Sequence, residues 1–167
     1  DLNKKIQLLL RKKDTFKDGI SVCLELRNTL SDAVEKLCGK LSDEQYSLMP
    51  YPDANGYHCK TIAYSIWHTA RIEDITAHTL ICGDEQVLFR DDYLKTTCSP
   101  IITTGNELVK DEITAFSQSL NIAVLLRYAA DVKASTDKLL SRLSYEDSKR
   151  RFTSDDKERV IASKAVS

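Results

Sequence analysis

A nearly charge-free segment, residues 61–82, constrains the fold of this chain more than any other feature. It reads TIAYSIWHTARIEDITAHTLIC and contains three formal charges, those of Arg71, Glu73 and Asp74. Its apolar residues occupy almost the whole circumference of a helical wheel, which predicts a helix buried between several neighbours. An unpaired polar group in such a position costs about 1–3 kcal/mol. We therefore expect the polar side chains of this helix to be paired or to be functional.

Apolar residues spaced three and four apart predict amphipathic helices on either side of this segment. Residues 17–39 form a helix that buries one face and ends at Gly39. The predicted buried face of this helix consists of Cys23, Leu26, Leu30, Ala33 with Val34, and Leu37. Residues 120–143 form a second strong helix, and residues 1–13 form a short peripheral one.

Two connections interrupt the helical pattern. In residues 40–58, Ser42 is expected to begin a single helical turn before Pro and Gly residues break regular structure. Residues 83–105 are a longer connection that contains a short helix near residues 85–94. Helices of an antiparallel hairpin are joined by about 2–8 residues. The longer connection would therefore allow the helices on either side of it to run parallel.

The second half of the chain contains two predicted helix starts. Asn106 is a predicted N-cap, and the residues from 106 to 143 form either one bent helix or two. Thr153 with Asp156 resembles a capping box, which predicts a final helix. The surrounding residues 145–167 form a polar C-terminal segment.

These patterns favour an all-α protein, most simply a four-helix bundle. No segment shows the alternation of a β-strand, and 5 Gly and 3 Pro are few for a turn-rich β fold. The length of 167 residues predicts one domain with its own core. The chain starts with Asp1 and ends without a helix stop, so we expect it to be a fragment of a longer product.

Charge and hydropathy argue against several classes of partner. Lys plus Arg number 24 and Asp plus Glu 25, so the formal net charge of −1 does not favour nucleic acid. No apolar run approaches the roughly 18 residues of a membrane helix, and we expect no membrane association and a cytoplasmic location. The five cysteines form no C-x-x-C pair, which favours buried free thiols over a disulfide frame or a zinc ribbon.

The three histidines, His58, His68 and His78, are the candidates for chemistry. His68 lies inside the predicted buried helix, where it is either a metal ligand or a hydrogen-bonded core residue. Asp74 and His78 are one helical turn apart. The carboxylate either orients the imidazole, binds a metal with it, or forms a solvated or interhelical pair. Arg71 is the other candidate partner of Asp74, and His58 is expected to be exposed.

Residues 57–75, YHCKTIAYSIWHTARIEDI, resemble the second helix of the DinB/YfiT-like family. That helix carries a pattern like iaeilwHiarxEd in the family. The matching residues here are Ile62-Ala63, Ile66-Trp67-His68 and Arg71-Ile72-Glu73-Asp74. The preceding LSDEQ at residues 41–45 is also similar to the family. The resemblance is specific over residues 25–80 and only architectural beyond them.

The resemblance implies a bundle with up-down-down-up topology and a long crossover between helices 2 and 3. It also implies a divalent metal, often nickel or zinc, held by three histidines, one of which corresponds to His68. The other two form H-x-x-x-H on the last helix of the family, and no His follows His78 here. Either the chain is truncated before that helix, or this member has lost its site. The candidate substitutes are Glu73, Asp74, His78 or carboxylates elsewhere in the chain, although the spacing demands none of them.

Two hypotheses are compatible with these features. In the first, the chain is a DinB-like, divalent-metal-dependent enzyme, either a thiol-dependent transferase or a hydrolase, that acts on a thiol or another small molecule. The metal would serve as a Lewis acid or generate a thiolate or hydroxide nucleophile. In the second, the chain is a non-enzymatic helical interaction or structural module. A homodimer is compatible with both.

Overall fold

The computed structural model describes residues 2–51, 53 and 60–163. Within these ranges the chain forms helices and no strand, which confirms the all-α class. The α-helices are α1 (Leu2–Leu10), α2 (Phe16–Cys38), α3 (Asp43–Ser47), α4 (Ile62–Asp74), α5 (Val87–Arg90), α6 (Tyr93–Thr96), α7 (Asp111–Ser119), α8 (Ile122–Arg142) and α9 (Ser154–Ala162). A π-helical segment, Ile75–Cys82, continues α4 and is termed the π segment.

The chain divides into two compact units, residues 1–41 with 137–152 and residues 42–136 with 153–167. The boundary falls inside α8, so this helix contributes residues to both units. The first unit also contains α1 and α2, and the second contains all the other helices and the π segment. A single domain and the four-helix topology with its crossover stay predictions.

In the first unit, α1 packs directly on α2. Gly19 permits this approach, because a Cβ at that position would lie 2.9 Å from Cδ2 of Leu10. Ile6 and Phe16 are buried in the same unit. The predicted N-terminal helix is therefore present, and its docking site is α2.

Polar contacts join residues 137–152 to α2 within the first unit. Arg27 Nε donates to Asp137 Oδ1 at 2.6 Å. Lys17 Nζ donates to the carbonyl oxygens of Ser141 at 3.1 Å and Leu143 at 2.9 Å. The lysine therefore binds carbonyls at and just beyond the end of α8, where a helix has backbone acceptors without intrahelical partners.

The prediction of a buried face on α2 is wrong for its second half. The helix itself is confirmed, but Leu30 is 56% exposed and Leu37 is 64% exposed. Ala33 is also exposed, whereas Cys23 and Leu26 are half-buried. Apolar spacing shows which side chains share a face of a helix. It does not show whether another element covers that face.

The nearly charge-free segment is helical throughout, from its N-cap Thr61 to Gly83. The prediction that it is buried on all sides is wrong. Ala63 and Trp67 are fully buried. The exposed face of α4 consists of Ile62, Ser65, Thr69 and Ile72. Two of these four residues are polar but uncharged. A small number of charged residues in a helix therefore does not show that every side of the helix is buried.

Two predicted helix starts are confirmed by their hydrogen bonds. Ser42 caps α3, and its backbone N–H donates to Gln45 Oε1 at 2.8 Å. Thr153 caps α9, and its backbone N–H donates to Asp156 Oδ2 at 2.7 Å. Both are reciprocal capping boxes, which satisfy two backbone donors at a helix start.

The prediction for residues 83–143 is corrected in two places, and one alternative that it left open is decided. Asn106 is not an N-cap, because it lies in a turn after Gly105, and α7 begins only at Asp111. The short helix expected at residues 85–94 is split into α5 and α6 by Asp92, whose φ is 56°. Residues 111–142 form two helices, α7 and α8, rather than one bent helix.

Among the described residues, no helix combines the length and apolar character needed to cross a membrane.

Candidate functional site

A buried ion pair lies at the end of α4. Asp74 Oδ2 accepts hydrogen bonds from Arg71 Nη1 at 3.0 Å and from the Tyr128 hydroxyl at 2.8 Å. Its two oxygens also accept from the backbone N–H groups of Val87 at 2.8 Å and Leu88 at 3.0 Å. The carboxylate therefore compensates the arginine and caps the start of α5. Of the two partners considered for Asp74 from the sequence, the structure shows Arg71.

The other donors of Arg71 are also occupied. Nη2 donates to Gln86 Oε1 at 2.7 Å, and both Nε and Nη2 donate to the carbonyl oxygen of Ile102, at 3.1 and 2.8 Å. Nη1 also donates to the hydroxyl of Tyr128 at 3.0 Å. Burial is the main cause that raises the pKa of the Tyr128 phenol above its ordinary value. All the donors of the Arg71 guanidinium and both oxygens of Asp74 thus have partners. A buried polar network stabilises a fold only when its groups are paired in this way.

Side chains of α4 hold the loop that follows α6. Tyr64, Trp67 and His68 donate in turn to the carbonyl oxygens of Gly105 at 3.1 Å, Thr103 at 3.0 Å and Thr104 at 2.8 Å. Because the three donors are three and four residues apart, they lie on one side of the helix. The polar groups of this helix are thus largely paired, which is one of the two alternatives expected from the sequence.

The contact with Thr104 fixes the proton on the His68 ring. A carbonyl oxygen can only accept, so Nδ1 carries the hydrogen, and Nε2 of the neutral ring keeps a free lone pair. No hydrogen bond joins Nε2 to another residue within the described part of the chain. The ring is half-buried and stacks on Tyr64 with a centroid distance of 5.5 Å.

His78 lies in the π segment and bonds through both ring nitrogens. Nδ1 lies 2.7 Å from Asp84 Oδ1, and Nε2 lies 3.0 Å from Ser135 Oγ. The residue is only 4% exposed. Its carboxylate partner is therefore Asp84 and not Asp74, the partner considered from the sequence. Nothing in the helical spacing indicates Asp84 or Ser135, since one follows a turn and the other lies 57 residues away.

The turn at Gly83 brings Asp84 back to His78. Gly83 has φ of 70°, the left-handed conformation typical of a helix C-terminus, and the backbone N–H of Asp84 donates to the His78 carbonyl at 3.0 Å. The adjacent Cys82 is an exposed thiol. Although the residue is exposed overall, partial burial of its sulfur and the nearby Asp84 carboxylate raise the pKa of this thiol above its ordinary value.

The three predicted metal ligands do not share one site. His68 binds Thr104, Asp74 binds Arg71 and the start of α5, and His78 binds Asp84 and Ser135. Within residues 2–51, 53 and 60–163, no group of three or more His, Cys, Asp or Glu side chains is arranged to hold a metal ion. His58 and Cys59 lie outside the described residues.

Comparison with known proteins adds no relative. No known protein family, no curated protein and no solved structure matches the chain. A functional assignment therefore rests on the geometry of the described residues.

Proposed function

We propose that this chain is a DinB-like helical protein that binds a divalent metal ion, nickel or zinc, through Nε2 of His68. The observation that carries the proposal is the hydrogen bond from Nδ1 of His68 to the Thr104 carbonyl. Histidines that bind metals typically donate their second nitrogen to a carbonyl or carboxylate, which orients the ring and fixes its tautomer. His68 has this arrangement, the residue is half-buried rather than enclosed, and Nε2 has no hydrogen-bond partner among the described residues.

The other two candidate ligands fit a metal less well. Both oxygens of Asp74 already accept hydrogen bonds from buried donors, and both nitrogens of His78 have partners. Ligation by either residue would leave those partners unpaired, at about 1–3 kcal/mol for each buried group. His68 is thus the ligand that we assign, and the described residues do not complete the set of three that a catalytic zinc usually takes.

In the proposed enzyme, a bound divalent ion would supply Lewis acidity to a thiol transfer or hydrolysis of a small molecule. The contribution of the chain's own residues is orientation. Trp67 and Tyr64 fix the loop that contains Thr104, and Thr104 fixes the ring of His68. A cytoplasmic location belongs to the same proposal.

The test is metal binding by the full chain, purified without a histidine tag. The protein is incubated with nickel or zinc, separated from free metal by gel filtration, and subjected to elemental analysis. We expect near-stoichiometric metal in the wild type and little in His68→Ala and His68→Gln. Circular dichroism reports whether these variants fold.

His78→Asn is the matched control for this experiment. Because both ring nitrogens of His78 have protein partners, this variant should keep the metal. Wild-type protein that holds no metal after incubation, or a folded His68→Gln that holds as much as the wild type, would contradict the proposal.

A second candidate function is a non-enzymatic interaction module that forms a homodimer. The observation that favours it is the exposed apolar stripe of α2, with Leu30 56%, Val34 50% and Leu37 64% exposed. Spacings of four and three residues are those of a helix–helix contact, and a second copy of the stripe would complement the first.

Sedimentation velocity tests this candidate. We expect the wild type to dimerise and a Leu30→Ser/Leu37→Ser variant to be monomeric. Lys36→Ala on the same helix is the control, since it lies outside the apolar stripe and should leave the dimer intact. A monomeric wild type across the accessible concentration range would eliminate the homodimer.

A further inference from the structure

Asp84, His78 and Ser135 form a chain of hydrogen bonds with a defined direction. A carboxylate oxygen only accepts, so the 2.7 Å contact with Asp84 Oδ1 places the hydrogen of His78 on Nδ1. In the neutral ring, Nε2 is then an acceptor. The hydroxyl of Ser135, 3.0 Å away, therefore donates its hydrogen to Nε2.

Three parts of the second unit contribute to this arrangement. His78 comes from the π segment, Asp84 from the turn after it, and Ser135 from α8. π-Helical turns are rare and occur frequently at functional sites. The imidazole is enclosed, with a side-chain exposure of 6%, whereas Ser135 is half-buried and Asp84 has a side-chain exposure of 56%. The acceptor nitrogen of His78 is thus held in place beside the hydroxyl of a serine that is only half-buried.

We propose that Ser135 is a nucleophile toward small carboxylic esters, with His78 as its general base and Asp84 as the residue that positions His78. An adjacent base is what activates an otherwise weak serine hydroxyl. A carboxylate on the far nitrogen fixes the tautomer and stabilises the imidazolium that forms. This inference requires no metal and is independent of the role proposed for His68.

The reaction balances with water as the only co-reactant. Ser135 Oγ forms a bond to the ester carbonyl carbon while its proton passes to Nε2 of His78. The bond from that carbon to the alkoxy oxygen then breaks, and the leaving alcohol takes the proton from His78. The oxygen of water then forms a bond to the acyl carbon and loses a proton to His78, and the bond from that carbon to Ser135 Oγ breaks, which releases the carboxylic acid. Ser135 recovers its hydrogen from His78.

The neighbouring thiol is a poorer nucleophile than its exposure suggests. Cys82 ends the π segment, but burial and the Asp84 carboxylate raise the pKa of its thiol and disfavour the reactive thiolate. The same carboxylate accepts a hydrogen bond from the imidazole beside Ser135. Asp84 therefore contacts the proposed base of the serine and disfavours the thiolate of the cysteine.

The test combines ester hydrolysis with covalent labelling of the full chain in the presence of EDTA, which removes metal-dependent hydrolysis. The substrate is 4-nitrophenyl acetate, and the label is a fluorophosphonate located by peptide mass spectrometry. We expect the label on Ser135. We also expect kcat/KM to fall about 100-fold or more in Ser135→Ala, which is the scale of general-base catalysis. Asp84→Asn should lower kcat while leaving KM unchanged, and circular dichroism separates this effect from a loss of folding.

Two variants serve as controls. Ser141→Ala removes an exposed hydroxyl from the same helix, where Oγ donates to the Lys138 carbonyl, and Cys82→Ser removes the thiol. Both should hydrolyse the ester as the wild type does. A label on any other residue overturns the proposal. It is equally overturned by a folded Ser135→Ala protein with the wild-type rate, or by a wild type that is neither labelled nor active.

Discussion

Arg71 Nη1 donates a hydrogen bond to Asp74 Oδ2 over 3.0 Å, and neither side chain has measurable solvent exposure. The two residues are three apart on α4, so the helix carries its own counterion into the interior. A buried charge left without its partner is strongly destabilising, whereas a complete pair is close to neutral against apolar replacement. The stability of the fold therefore depends on keeping both members of the pair, because removal of either one alone leaves the other buried without its partner.

Asp74→Ala should lower the free energy of unfolding by about 3–5 kcal/mol, the scale for breaking a buried pair. The variant leaves Arg71 uncompensated and removes the acceptor for the backbone of Val87 and Leu88. Urea unfolding measures the change. Asp91→Ala is the matched control, because its pair with Arg90 is exposed and should contribute less than about 1 kcal/mol. Similar losses in the two variants would contradict the role of burial.

Thr61→Ala should cost about 1–2 kcal/mol, as expected for a helix N-cap. Thr61 Oγ1 accepts from the backbone N–H of Tyr64 at 3.1 Å and lies 2.6 Å from Ser117 Oγ. Ser117 in turn donates to the Ile113 carbonyl at 2.7 Å. Thr61→Ser keeps the hydroxyl and should recover most of the stability in thermal or urea unfolding. Equal destabilisation by both substitutions would assign the effect to the lost methyl group.

Gly83→Ala should destabilise the protein by about 1–2 kcal/mol, because a side chain is strained at its φ of 70°. Gly39→Ala is the control, since Gly39 ends α2 with φ of −64° and should tolerate alanine within about 1 kcal/mol. Urea unfolding compares the two. If Gly83 were as tolerant as Gly39, the left-handed turn would not be required for stability.

The phenol of Tyr93 provides a pH-dependent prediction. The pKa of Tyr93 is raised to about 12. Burial of the phenol is the largest cause, and the hydrogen bond to Asp131 is the next. Because the folded pKa lies above the unfolded value, the contribution of this phenol to stability is present below about pH 10 and is lost as the pH rises towards 12. The stability difference between the wild type and Tyr93→Phe should therefore narrow over that range.

Asp131→Asn provides the control for the Tyr93 titration. It keeps the phenol but removes the carboxylate charge, so the pKa of Tyr93 should shift back towards its ordinary value of 10.0. The difference in phenolate absorbance between each protein and its Tyr93→Phe counterpart isolates the ionisation of Tyr93 from that of the other six tyrosines. An unchanged titration in this variant would assign the whole shift to burial.

Local signals in the sequence predicted local structure well. Ser42 and Thr153 were predicted to start helices, and each forms a reciprocal capping box. The Arg71–Asp74 pair was also predictable, since both residues lie on one helix three positions apart. In each case the physical cause is a contact between near neighbours in the chain, which a sequence pattern can encode.

The structure departs from the sequence-based expectations where the outcome depends on distant residues. Leu30 and Leu37 share the predicted apolar face, but burial requires a second element over them, and spacing carries no information about it. Asn106 has the chemistry of an N-cap but lies in the turn that follows Gly105. Ser135 reaches His78 from a different helix, which no helical periodicity reveals.

In the π segment, the position of His78 depends on the number of residues between α4 and Gly83 as much as on their identity. Each residue of an α-helix advances the chain by roughly 100° around the axis, whereas the wider π turns accommodate an additional residue. If the winding did not change, loss of one residue between Asp74 and His78 would rotate the imidazole by roughly a quarter of a turn about the helix axis, away from Ser135. Point substitutions along this stretch leave that register intact. Single-residue deletions therefore meet a far stricter constraint here than in the surface connections of the chain.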